Sequence, residues 1–194
     1  NLNEAITFFQ SKNKDTYKVE NKIFTYDNIN INGEKFYFEQ NYINNFNEVK
    51  GQTLAKKAAL ISAAGNHNII FEGSPGCGKS MIAKRLKDIS SPMSLEEILD
   101  IAKMESLQSK QPNFHAKRTF ISPHHSSTKA SIVGGTQIGE VALSNHGILF
   151  FDELPHYAKT VLEAMREPLE DNEISISRVN SKVKYPTKFL FVCA

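Results

Sequence analysis

The chain has 194 residues, enough for one domain of ordinary size or one domain with an appendage. Hydrophobic residues make up 40% and charged residues 23%, and 23 Lys plus Arg against 21 Asp plus Glu leave a formal charge of only +2. That balance excludes a disordered chain and a polyelectrolyte tail, while leaving room for a local basic patch. There is no run of about 18 apolar residues, and Asn1-Leu2-Asn3-Glu4 does not open a signal peptide, so neither a membrane span nor a leader is expected. Cys77 and Cys193 lie far apart in core-like segments, which excludes a disulfide scaffold and points to a reducing cytoplasm.

The first 50 residues hold 11 of the 17 asparagines and 10 of the 19 aromatics. A short helix is expected over Leu2 to Gln10, and short strands at Tyr17-Lys18-Val19, Ile23-Phe24-Thr25-Tyr26 and Lys35-Phe36-Tyr37-Phe38, the last two separated by a turn at Asn32-Gly33. Residues 1–46 read as a small β-containing arm or the remnant of an upstream domain, and 47–194 as the main domain. From Gly51 helices and strands alternate. Gln52 to Ala64 has helical apolar spacing with Gly65 as its cap, Asn68 to Glu72 is a short apolar strand, and Lys79 to Ile89 is a helix. Ser94-Leu95-Glu96-Glu97 is a capping box opening a helix toward Leu107. Arg118 to Ser122 reads as a strand and Ser127 to Val133 as a short helix. Gly147 to Asp152 is the near-continuous apolar run of a strand buried on both faces. An amphipathic helix over Thr160 to Leu169 follows, then a hairpin pairing Ile174–Ser177 with Lys182–Tyr185, and a last strand in Lys188 to Ala194. Strands separated by helices predict an α/β domain around a parallel sheet. A chain that starts with Asn and stops inside a strand-like run is expected to be a piece of a longer one.

Gly73-Ser74-Pro75-Gly76-Cys77-Gly78-Lys79-Ser80 matches G-x-x-x-x-G-K-[ST] between a predicted strand and a predicted helix. By composition alone a chance match in a chain this long is on the order of one in a hundred. Gly76 and Gly78 let the backbone curl so that N–H groups face phosphate oxygens, and the helix N-terminus adds partial positive charge. Lys79 would reach the β and γ phosphates of ATP and the Ser80 hydroxyl would bind Mg²⁺. The second element is Ile148-Leu149-Phe150-Phe151-Asp152-Glu153, with acids at the C-terminal end of a buried strand, where open α/β sheets place their chemistry. Asp152 would complete the Mg²⁺ shell and Glu153 would polarise the attacking water.

GSPGCGKSMIAKRL, FISPHHSSTKASIVGG, GEVALSNHGILFFDELPHY and VLEAMREPLEDNEISISR together resemble the Mg-chelatase-like AAA+ proteins of the ComM/YifB type, from about Asn47 to Ala194. The stretch Gly139, Ser144, Gly147, Asp152, Glu153 is also similar to MCM helicases and enhancer-binding activators, which share a hairpin before the sensor strand, here Glu173–Tyr185. The resemblance implies a P-loop AAA+ fold and a Mg-dependent ATPase that forms a homo-oligomeric ring, a hexamer. Its substrate would be DNA, unwound or branch-migrated in transformation and recombination. In the chelatase branch of the same family the motor would remodel a protein partner without nucleic acid, and a regulatory module whose assembly is switched by ATP is a third reading. The resemblance places nucleotide contacts at Val49, Gly51 and Gln52 and along Ser74 to Met81, with a γ-phosphate-sensing polar switch at His67 and Asn68. The family's sensor, arginine finger and lid would fall beyond Ala194. An arginine finger is worth about 10³–10⁵ in rate, so this stretch by itself is expected to turn over slowly.

Arg178, Lys182 and Lys184, with Lys188 nearby, form a basic hairpin that either contacts DNA phosphates or merely keeps an exposed hairpin soluble. Lys117, Arg118, His124, His125 and Lys129 form a second basic segment with the same two readings. A metal site at His115, His124 and His125 is disfavoured, because adjacent histidines on a strand would point to opposite sides and no Cys or carboxylate supplies the usual spacing.

Overall fold

The computed structural model describes residues 26–39, 46–108, 114–135, 137–178 and 181–194. The helix expected at Leu2 to Gln10, the strand at Tyr17 to Val19 and the residues Ile23 to Thr25 lie outside that set. Among the described residues no helix is long and apolar enough to cross a membrane.

A four-stranded parallel sheet organises the domain. Its order is β3 (Ile69–Ile70), β9 (Leu190–Cys193), β6 (Ile148–Phe151), β5 (Phe120–Ile121), so the strand that precedes the glycine loop lies at an edge and the strand that carries the acids lies inside. All four residues of β6 are buried. Ile148 and Phe150 face a core built with Ala59, Ala63, Ile82 and Leu86 from helices α1 (Thr53–Gly65) and α2 (Lys79–Ile89). Leu149 and Phe151 face a second core with Ile132, Val141, Val161 and Ile174. That face is covered by the short helices α4 (Lys129–Ile132), α5 (Glu140–Leu143), α6 (Lys159–Ala164) and α7 (Arg166–Glu170), and by the hairpin β7 (Glu173–Arg178) with β8 (Ser181–Pro186). Burying a Phe completely contributes about 2–3 kcal/mol, whereas burying an unpaired carboxylate costs several, so the acids can follow this strand but cannot lie within it.

The hairpin pairs Ile174 with Tyr185 and Ile176 with Val183, the register expected from the sequence. Two boundaries differ from expectation, each for a local reason. The helix expected over Thr160 to Leu169 is two helices broken at Met165, because Pro168 has no N–H to donate to the Ala164 carbonyl and its ring crowds that group. Helix α1 runs through Gly65 and is capped instead by Asn66, which adopts the left-handed conformation (φ 51°) that asparagine tolerates. Of the strand expected over Ile23 to Tyr26 only Tyr26 is described, and it precedes a strand that was not expected, β1 (Asp27–Ile31), which pairs with β2 (Glu34–Phe38) around Asn32-Gly33. Neither β4 (Met93–Ser94), which extends that hairpin into a three-stranded sheet, nor α5 was expected. The arm is thus fastened to the domain through Met93 and Ser94. Ser94 also caps α3 (Leu95–Ser106), with both bonds of the capping box formed.

A polar network seats α3 against the base of the sheet. Arg118 donates to Glu97 (3.1 Å), the Ser91 carbonyl (3.0 Å) and the His146 carbonyl (2.8 Å), and the His146 ring lies 3.1 Å from Asp100 and 3.5 Å from Glu97. Burial opposes ionisation of Glu97, but the bonds from His146, Arg118 and the Ser94 N–H outweigh it and hold its carboxyl at about 2. Burial likewise opposes charge on His146, and Glu97 with Asp100 outweigh it, so its pKa is raised. This network absorbs Arg118 and leaves its side chain 15% exposed, while Lys117 lies 3.4 Å from the buried Asp88 carboxylate. The basic segment expected at Lys117, Arg118, His124, His125 and Lys129 is therefore not one surface.

Two predictions follow from this packing. A Cβ added to Gly139 would lie 2.4 Å from the Gly134 nitrogen and 2.6 Å from the Ile132 carbonyl, whereas one on Gly135 would make ordinary contact with Ala130 at 3.7 Å. Gly139→Ala should lower stability by about 3 kcal/mol and Gly135→Ala by well under one, as read from urea unfolding. A depressed carboxylate stabilises the fold above its unfolded value near 4.5 and loses that contribution as pH falls toward 2. The stability difference between wild type and Glu97→Gln should therefore be full at neutral pH and shrink through that window.

Candidate functional site

The glycine loop follows β3 and opens directly into α2, as the motif requires. Gly76 and Gly78 have φ of 77° and 90°, and a Cβ on Gly76 would point into open space. The loop is thus curled with open space beside Gly76, a shape in which successive N–H groups converge on an anion. Lys79 Nζ donates to the Gly73 carbonyl (2.8 Å) and the Ser74 carbonyl (3.1 Å) and lies 3.9 Å from Cys77 Sγ.

Across the mouth of the loop, β6 delivers its acids. Ser80 Oγ donates to Asp152 Oδ2 at 2.8 Å, joining two motifs far apart in the chain. A hydroxyl and a carboxylate in contact are hard oxygen donors of the kind Mg²⁺ takes. Glu153 follows in a left-handed conformation (φ 56°), a costly one for a residue with a side chain. It turns the chain into the 3-10 segment Leu154–His156. The cleft between loop and acids measures about 720 Å³ and is lined by Pro75, Gly76, Lys79, Ser80, Asp152 and Glu153, with Met81 and Leu154 among its apolar contacts.

The segment Val49 to Gln52 divides. Gln52 Nε2 donates to the Cys77 carbonyl at 3.2 Å, so this residue does reach the loop. Gly51 and Gln52 are both left-handed and lead into α1. The Val49 side chain is packed in the core at 2% exposure, not in the cleft lining, and its carbonyl accepts from Lys56. Asn68, expected with His67 to form a switch, accepts the Phe191 N–H at 2.9 Å and ties the residue before the edge strand to β9.

The histidines depart further from expectation. His124 and His125 lie at a turn rather than on a strand, so their rings meet at a tilt, centroids 4.2 Å apart, instead of pointing apart. Among the described residues no group of three His, Cys, Asp or Glu is placed to hold a metal. His125 and His156 both approach Glu153. This contact was invisible in the sequence because it joins a loop after β5 to a turn after β6. The loop is fixed by Tyr157, whose hydroxyl donates to the Pro123 carbonyl at 2.6 Å while its ring stacks on Phe151 at 4.2 Å. Burial first, then the nearby Glu140 and Asp152, push the Tyr157 pKa up to about 12, so it remains a donor. In the hairpin, Lys184 pairs with Glu173. The side chains of Arg178 and Lys182 lie outside the described part of the structure.

A glycine loop on the edge strand, an acidic pair after an inner parallel strand and a hairpin before the last strand define a P-loop domain of the AAA+ type. The chain belongs to the magnesium chelatase family: residues 45–194 match the family described as "Magnesium chelatase, subunit ChlI". Competence protein ComM of Haemophilus influenzae is 44% identical over 152 residues, and YifB of Escherichia coli, a protein without assigned function, 41% over 153. Each match takes in 76% of this chain, which spans about 30% of the length of these curated relatives. Among solved structures, NtrX from Brucella abortus in complex with ADP has a TM-score of 0.51 at 17% identity, covering 74% of this chain and 29% of that one, which bears on the fold alone.

Tyr157→Phe removes one hydroxyl and leaves the buried Pro123 carbonyl without its partner. It should cost about 1–3 kcal/mol in urea unfolding, well above a typical surface change.

Proposed function

We propose that this chain forms the nucleotide-binding core of a Mg-dependent AAA+ ATPase, a ring-forming motor that acts on DNA. The observation that carries the ATPase reading is the 2.8 Å contact between Ser80 and Asp152, which joins the phosphate loop to the acidic strand. The residues fit both groups the reaction needs. The curled loop with no Cβ over Gly76 suits the phosphates of ATP, and Ser80 with Asp152 would hold Mg²⁺, which would neutralise charge on those phosphates. The segment Ser74 to Met81 wraps the phosphates, Lys79 exchanges its bonds to the Gly73 and Ser74 carbonyls for phosphate oxygens, and Gln52 steadies the loop through Cys77. The backbone of Val49 to Gly51 flanks the base. Glu153 accepts the proton of the attacking water.

The DNA substrate rests on the resemblance to the ComM/YifB type and on a relative named for competence. The basic hairpin supports it: Lys184 is exposed on β8, and Arg178 and Lys182 belong to the same two strands. In a homo-hexamer this hairpin would face the pore, where each phosphate neutralised adds to salt-dependent binding. The family's chelatase member favours a second reading, a cytoplasmic motor that remodels a protein partner without nucleic acid.

ATP hydrolysis by the intact protein, with and without single-stranded and forked DNA, separates the two. DNA should stimulate turnover severalfold, and Glu153→Gln should remove about 10²-fold or more of the activity, as loss of a general base does. A rate indifferent to DNA at salt low enough for phosphate contacts would favour the protein-remodelling reading.

A further inference from the structure

Two histidines from different parts of the chain converge on one oxygen of Glu153. His156 Nδ1 lies 3.3 Å and His125 Nδ1 3.6 Å from Oε2. A carboxylate oxygen only accepts, so the hydrogen bond from His156 requires hydrogen on its Nδ1, while His125 stands just beyond hydrogen-bond length on the same oxygen. His124 is set the other way: its Nδ1 accepts the Ser126 N–H at 3.2 Å, and its ring leans on His125 at a 33° tilt. His125 in turn meets the His156 ring edge-on at 5.8 Å. The three rings form a continuous row that starts at the Ser126 backbone and ends at the acid.

The two segments that carry this row are joined beside it. Tyr157, the residue after His156, bonds to the carbonyl of Pro123, two residues before His125. The left-handed backbone of Glu153 starts the turn, and the His156 N–H closes it on the Glu153 carbonyl at 2.8 Å. The Glu153 side chain is 61% exposed, so packing does not restrain its rotamer. Among the described residues, His125 and His156 are the side chains that pair with it, since Asn68 is committed to Phe191.

We propose that His125 and His156 are positioning residues for Glu153, holding Oε2 so that Oε1 is presented as the base. This rests on the ATPase reading above. Glu153 Oε1 takes a proton from the water whose oxygen bonds the γ-phosphorus, while the bond from that phosphorus to the bridging oxygen of the departing diphosphate breaks. A base works only when its lone pair is aimed at the proton it removes, and an exposed glutamate with free rotamers spends little time so aimed. The PHH segment singled out in the sequence thus acts on the acid rather than on DNA or a metal.

The test compares double variants of the intact protein. His125→Ala with His156→Ala should lower kcat for ATP about tenfold or more, while the Kd for ATP, read by displacement of a fluorescent analogue, stays within about twofold. His125→Asn with His156→Asn places an amide N–H where Nδ1–H was and should restore most of the rate. A kcat unchanged or raised by the alanine pair, when Glu153→Gln abolishes hydrolysis, overturns the proposal. So does a loss of rate that asparagine fails to restore, or one matched by an equal loss of ATP affinity. Full hydrolysis by Glu153→Gln would overturn the role of Glu153 as the base and the positioning role with it, whereas no hydrolysis by the intact wild-type protein would overturn the ATPase reading itself.

Discussion

The architecture depends on one strand that is buried on both faces. Ile148 and Phe150 seal the core beneath α1 and α2, and Leu149 and Phe151 seal the one beneath α4 to α7 and the hairpin. Nothing polar can sit within such a strand at tolerable cost. The first positions free to carry charge are those just past its end, and Asp152 and Glu153 occupy them. The parallel arrangement also brings the ends of β3 and β6 to the same edge of the sheet, with β9 between them. The glycine loop and the acids therefore meet because of strand order, and their contact is the 2.8 Å bond from Ser80 to Asp152.

The opposite end of the sheet has a different character. There Arg118, Glu97, Asp100 and His146 are bonded to one another or to carbonyls, beside a cavity of about 430 Å³. Ionised groups held this way fix α3 and, through Ser94, the N-terminal hairpin. The end that carries the glycine loop leaves its charged groups lightly engaged. Lys79 bonds only to backbone carbonyls of its own loop and lies near Cys77, and Glu153 is more than half exposed. Rigidity at one end and exchangeable polar contacts at the other are what a domain that grips and releases a ligand needs.

Much of this was legible in residue order because it depends on local rules. The curl of Gly73–Ser80, the capping box at Ser94, the turn at Asn32-Gly33 and the register of the β7–β8 hairpin follow from short-range sterics and hydrogen bonding. The break at Met165 was also local, and the signal, Pro168, was present. Other features left no local trace. The edge strand at Ile69–Ile70 is much shorter than its apolar run, and Met93 and Ser94 pair with β2 across a long separation in sequence.

The sequence by itself determined the class of fold, the glycine loop and the acidic pair, since these depend on spacing along a few residues and on the alternation of helix and strand. Only the tertiary structure decided which side chains surround them. It placed Val49 in the core and Gln52 on the loop, assigned Asn68 to Phe191, tied Arg118 into a network and set His124 against His125 beside Glu153. The reason is that a side chain's partner across a domain is set by strand order and by the direction each loop takes on leaving the sheet. Those are properties of the assembled layers and not of any segment alone.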